Sequence, residues 1–147
     1  MRIFTDADEL LDHLASLDEA GSGEGLAFTE LEHGLQCAAL LEHAHPADVE
    51  LQVAGLVHDL AHPWDGPGQP EHHRLGAAAV RPLLGDRVAD LVEAHVDAKR
   101  YLVTVDPAYR RTLSPGSSTT LRAQGGELTA AEVAAAEARP DWDAALA

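Results

Sequence analysis

The stretch Val57-His58-Asp59-Leu60-Ala61-His62 places two imidazoles and a carboxylate within five positions. These are the groups that bind metal ions or carry protons near neutral pH. On a helix, adjacent His58 and Asp59 project about 100° apart, so both reach one ion only in a groove against a second helix. His58 and His62, four apart, share a face. A His-Asp pair alone carries little, but His33 lies on the apolar side of the preceding helical pattern. His72 follows a proline-rich loop, and His95 sits inside Leu91-Val92-Glu93-Ala94-His95-Val96. Burying several imidazoles without partners is costly, whereas metal coordination gives each a strong bond. Four histidines and one aspartate on four successive helices therefore point to ligation. Imidazole and oxygen donors without thiolate suit iron, manganese or zinc, and Cys37 is too isolated to argue otherwise.

The elements that must hold these residues read as helices. Thr5 is placed to cap a first helix with Leu10, Leu14 and Leu17 at helical spacing, closed by Gly21, Gly23 and Gly25. Thr29 with Glu32 forms a capping box for a second helix that runs to His45-Pro46. A third runs from about Ala47 to the crowd of prolines and glycines from Pro63, and a fourth from about Glu71, weakening at Pro82. Gly85 precedes a long fifth helix that carries His95 and Lys99. Asp106-Pro107 and Ser114-Pro115 open short pieces. Gln124-Gly125-Gly126 breaks the chain, and Thr129 with Glu132 caps an Ala-rich helix to Arg139. No period-2 alternation persists. The expected fold is all-α, a compact helical bundle.

Composition limits the partners. The 147 residues suit one domain, and aromatics at 4% leave the core mainly to Leu and Ala. The net charge of −15 opposes binding to nucleic acid or an anionic membrane. It is uneven: residues 1–73 hold fifteen acids against Arg2 alone, while residues 74–147 hold ten acids and nine bases. A single cysteine forms no internal disulfide, and no apolar run approaches membrane-spanning length, so a soluble cytoplasmic protein is expected.

Together, His33, the His58-Asp59 pair, His72 in His-His-Arg-Leu-Gly-Ala and His95 resemble the HD-domain superfamily, in its subset that holds two metals. Leu31-Glu32-His33-Gly34-Leu35-Gln36-Cys37-Ala38, His95-Val96-Asp97-Ala98-Lys99-Arg100-Tyr101-Leu102 and Gln124-Gly125-Gly126 narrow the likeness to the PhnZ-type mixed-valence di-iron oxygenases, which cleave organophosphonates and are related to myo-inositol oxygenase. The resemblance implies two iron ions, Fe(II)/Fe(III), with O2 as co-substrate. His33, His58 and Asp59 would hold one iron, and Asp59 would bridge to another held by His72 and His95. It implies catalytic or substrate-binding roles for His62 and Lys99, and phosphonate contacts from Ser117 and Gln124. Glu24 corresponds to a carboxylate for a substrate amine, at a spacing that differs by two residues. Gly21, Ser22 and Gly23 stand where the family has a gating tyrosine. The family's last aspartate ligand, in a Trp-Asp element, aligns a few residues beyond Ala147. Trp142-Asp143 is a superficially similar pair, so residues 1–147 read as a single HD domain lacking its C-terminal end.

The implied activity is oxidative carbon–phosphorus cleavage of a 1-hydroxyphosphonate such as 2-amino-1-hydroxyethylphosphonate, releasing phosphate. The charge asymmetry favours a zwitterionic substrate. The alternative is a metal-dependent HD phosphohydrolase acting on a nucleotide or other phosphate ester through metal-activated water. A third class is a binding protein that keeps the metal without turnover. Oligomeric state is not legible.

Overall fold

The computed structural model describes residues 2–19, 28–66 and 70–147. Glu24 and the Gly21-Ser22-Gly23 segment lie outside them. The described residues form nine α-helices and no strand: α1 (Ala7–Glu19), α2 (Glu30–Ala44), α3 (Val49–Val57), α4 (His72–Leu84), α5 (Asp86–Val105), α6 (Pro107–Thr112), α7 (Pro115–Ala123), α8 (Ala130–Glu137) and α9 (Trp142–Ala145). The all-α expectation holds.

Most starts obey the side-chain signals. Thr29 and Glu32 make the expected capping box of α2, and Thr129 and Glu132 make that of α8. At α1 the capping side chain is Asp6, which accepts from the backbone of Asp8 and Glu9, rather than Thr5. Asp48 caps α3. Pro82 lies inside α4, which continues to Leu84 before Gly85 stops it at φ 86°.

One departure shapes the site. α3 ends at Val57, so His58 and Asp59 occupy the exit of the helix, followed by a 3₁₀ turn over His62–Trp64. The third helix was expected to run on to Pro63, with His58 and His62 on one face. Instead the chain turns, and His62 approaches Asp59 from a different side than His58 does. The turn is anchored from α1. His13 donates Nε2–H to the Leu60 carbonyl at 2.8 Å and stacks on Trp64 at 4.8 Å between centroids, while Phe4 is fully buried nearby. Val57, Leu60, Val80 and Val92 are all but inaccessible, each contributing about 1.5–3 kcal/mol by burial. That core lies directly beneath the histidines.

At Gly34, α2 meets the α3 backbone with no side chain of its own in between. A Cβ at Gly34 would stand 2.4 Å from the Leu56 carbonyl oxygen, so only glycine permits this approach, and it brings neighbouring His33 against His58. On the other side, α4 and α5 form an antiparallel pair, with Gly76 against Val92.

Candidate metal centre

Asp59 is the hub. Its Oδ2 lies 3.5 Å from His33 Nε2 and 3.0 Å from His58 Nε2. Its Oδ1 lies 3.3 Å from His72 Nε2, 3.4 Å from His95 Nε2 and 3.1 Å from His62 Nε2. The two oxygens of one carboxylate thus face two sets of imidazoles, delivered by α2 and the α3 exit on one side and by α4, α5 and the 3₁₀ turn on the other. His72 Nε2 and His95 Nε2 are 2.9 Å apart.

The rings are oriented for ligation. His58 donates Nδ1–H to the Gly55 carbonyl at 2.8 Å, and His95 donates Nδ1–H to the Val92 carbonyl at 2.6 Å. That fixes the tautomer and turns each Nε2 toward Asp59. Two donors at 2.1 Å from one ion, at a right angle, stand about 3 Å apart. Separations of 2.9–3.5 Å around Oδ1 and Oδ2 suit donors that share metal ions, and among the described residues the donors close enough together to hold one fall into two groups, His33 with Cys37 and His58, and Asp59 with His62 and His72.

The charge environment differs from one imidazole to the next. Burial would raise the Asp59 carboxyl, yet the neighbouring His58 and His62 charges hold it well below the usual carboxylate range. Burial pushes His95 down to about 4 and also lowers His33. Burial disfavours charge on His62 too, but Asp59 and then Glu30 outweigh it and raise the ring to about 10. His58 is likewise raised by Asp59 against the pull of burial.

A cavity of about 520 Å³ opens over this cluster, lined by His33, Asp59, His62, Lys99, Ser117 and Gln124 among others. Sequence spacing placed Lys99 one turn beyond His95, and it does reach the cavity, where Nζ donates to Thr120 Oγ1 at 3.3 Å. Ser117 Oγ accepts from Ser114 at 3.0 Å. Gln124 Oε1 is buried with no hydrogen-bond partner, an orphan that a bound ligand or water would satisfy. The next residues of the two motifs hold this wall in place. Arg100 donates to the Gly126 carbonyl at 2.9 Å and lies against Gly125, which at φ 105° is a position for glycine. Tyr101 reaches Glu137 at 2.8 Å and meets the edge of Trp142.

Three expectations need correction or remain outside view. Asp143 is exposed and does not line the cavity, so it is no substitute ligand here. Glu24 lies outside the described residues. Cys37, set aside as isolated, lies 3.8 Å from His33 Nε2 and lines the cavity; burial pushes its thiol up to about 11. Glu30 was also missed, although its carboxylate accepts from His62 Nδ1–H at 2.9 Å. Both were legible in principle, standing three before and four after His33 on one face of α2.

Comparison with known proteins adds to this geometry. The family model described as HD domain matches residues 31–137. A hydroxymethylphosphonate dioxygenase of Gimesia maris is 34% identical over 143 residues, covering 88% of this chain and 71% of the relative. A [1-hydroxy-2-(trimethylamino)ethyl]phosphonate dioxygenase (glycine-betaine-forming) of Leisingera caerulea is 34% identical over 132 residues. That match covers 84% of this chain and 66%, slightly under two thirds, of the relative.

Proposed function

This chain belongs to the HD-domain family, and on that premise we propose that it is an oxygenase that cleaves the carbon–phosphorus bond of a small 1-hydroxyphosphonate, using O2 and releasing phosphate. The observation that carries the reading is the divided carboxylate of Asp59, one oxygen toward His33 and His58 and the other toward His72 and His95, beneath a cavity with a cationic and amide wall. The curated relatives named as phosphonate dioxygenases support it.

Two iron ions, when bound by these five residues, supply the redox chemistry with oxygen. The chain supplies everything else. Lys99 presents an ammonium to the phosphonate, held at its place by Thr120. Ser117 gives a hydrogen bond to a phosphonate oxygen, and the unpartnered Gln124 Oε1 accepts one from a hydroxyl or ammonium of the ligand. His62, pinned between Glu30 and Asp59, lines the cavity and meets the substrate from there. For 2-amino-1-hydroxyethylphosphonate the products are glycine and phosphate, and one O2 balances the equation. A zwitterion suits a site whose walls carry both Lys99 and the carboxylate of Glu30. Among the described residues no helix is long and apolar enough to cross a membrane. A cytoplasmic location remains our expectation.

The test is anaerobic reconstitution with Fe(II), followed by oxygen-electrode and phosphate assays on hydroxyphosphonates. One phosphate released per O2 consumed is expected. Phosphate release that continues without oxygen would instead establish the phosphohydrolase, and iron binding with neither oxygen uptake nor phosphate release would overturn both.

A further inference from the structure

We propose that His13 is a positioning residue of the metal centre: from α1 it holds the turn that runs from Asp59 to His62, by donating to the carbonyl of Leu60. The proposal rests on the reading that Asp59 bridges two metal positions, and goes beyond it by assigning a part to a residue outside the cavity wall.

The turn has a gap in its own hydrogen bonding. Its backbone bonds run from a residue to the third one back: His62 to the Asp59 carbonyl at 3.0 Å, Trp64 to Ala61 at 3.0 Å and Asp65 to His62 at 3.3 Å. Pro63 stands where the bond to Leu60 would start, and proline has no N–H. Leu60 is 1% exposed, and a buried carbonyl left without a donor is costly. His13 Nε2 fills the gap at 2.8 Å.

The surroundings of His13 suit that task. Its side chain is buried, and Arg2 Nη1 faces Nδ1 at 3.5 Å. A guanidinium only donates, so the ring hydrogen sits on Nε2, toward Leu60. Trp64 stacks on the ring at 4.8 Å and Phe4 lies at 5.5 Å. The Phe4 backbone donates in turn to the Ala79 carbonyl at 2.9 Å, on the helix α4 that begins with His72. The start of the chain thus ties the turn of Asp59 to the helix of His72, two donors 3.3 Å apart. With the Leu60 carbonyl unpaired, the peptide that follows Asp59 rotates to find another donor, and the setting of Asp59 and His62 against His72 loosens.

Calorimetric titration with Co(II) without oxygen, with thermal unfolding alongside, compares three variants. His13→Phe keeps a ring against Trp64 but removes the donor, and its metal affinity is expected to fall at least about 10-fold. His13→Gln removes the ring but keeps an N–H near the place of Nε2, and is expected to bind cobalt as the wild type does even if its Tm falls. Pro63→Ala gives the turn back its missing N–H, so adding it to His13→Phe is expected to recover the affinity. A merely structural role would follow the ring and the Tm rather than the donor. Undiminished affinity in His13→Phe, a His13→Gln protein equally impaired, or no recovery in the double variant would overturn the role of His13 and leave the two-metal reading intact. A wild type that binds no cobalt would overturn that reading, and this one with it. Should His13→Phe not fold, nitrogen-15 NMR of the wild type still tests the bond: a His13 ring protonated on Nε2 is expected, and one protonated on Nδ1 alone would overturn the proposal.

Discussion

Replacing Gly34 by alanine tests whether the closeness of α2 and α3 is what assembles the centre. The added Cβ would lie 2.4 Å from the Leu56 carbonyl oxygen, a backbone atom with no rotamer to yield. Contacts under 3.0 Å are essentially never seen and 3.4 Å is ordinary, so the two backbones must part by about 1 Å. His33 moves with its helix, and its 3.5 Å approach to Asp59 opens toward about 4.5 Å, too far for both to reach one ion at about 2 Å each. The cost in stability is smaller than the cost in binding. Overpacking costs about 1–3 kcal/mol, and replacing a helical glycine by alanine returns up to about 1 kcal/mol. The metal is the sharper reporter, and its affinity is expected to fall at least about 10-fold. Gly55→Ala is the control. Its Cβ also meets an atom at 2.4 Å, but that atom is the terminal methyl of Leu41, which can rotate away. Gly55→Ala is therefore expected to bind metal as the wild type does. Calorimetric titration of both variants with Co(II), with thermal unfolding alongside, decides the matter. A Gly34→Ala protein of undiminished affinity would refute the reasoning, as would a Gly55→Ala protein equally impaired.

Other consequences can be read from the same structure. Lys99→Met removes the cavity's ammonium but keeps its length, so KM for the phosphonate should rise at least about 10-fold with metal content unchanged; steady-state phosphate release and iron analysis check it. In metal-free protein, His62 is raised from an ordinary 6.5 to about 10, so its stabilising pairing is full below about pH 6.5 and lost as pH rises toward 10. Urea unfolding should show this loss, and Glu30→Gln should shrink it. His73 and His95 have the opposite sign: burial first lowers each to about 4, so the stability they support falls as pH drops from about 6.5 to 4. Arg87 grips Asp48 through two bonds of 2.6 and 2.7 Å and reaches Asp141 at 2.6 Å. About a third of each side chain in the Asp48 pair is exposed, so screening limits Arg87→Ala to a loss of about 1 kcal/mol, measurable as a fall in Tm.

The amino-acid sequence by itself determined the helices and the chemistry of the donors. Capping residues at Thr29 and Thr129, prolines at first turns and the spacing of leucines act over a few residues, and those local forces survive into the fold. His33, His58, Asp59, His72 and His95 were legible as a set because so many imidazoles on apolar faces demand a common partner. The spacing of Lys99 one turn beyond His95 likewise showed which face of α5 meets the cavity. The tertiary structure decided how the donors divide. Only the early end of α3 at Val57 turns His62 away from His58 and lets each oxygen of Asp59 face its own group. Only the bare backbone contact of Gly34 with Leu56 brings His33, and with it Glu30 and Cys37, to the centre. These are distances between elements far apart in the chain. Helical periodicity names the face a residue occupies, but the depth at which two faces meet is set by packing, and there a missing Cβ counts for as much as a histidine.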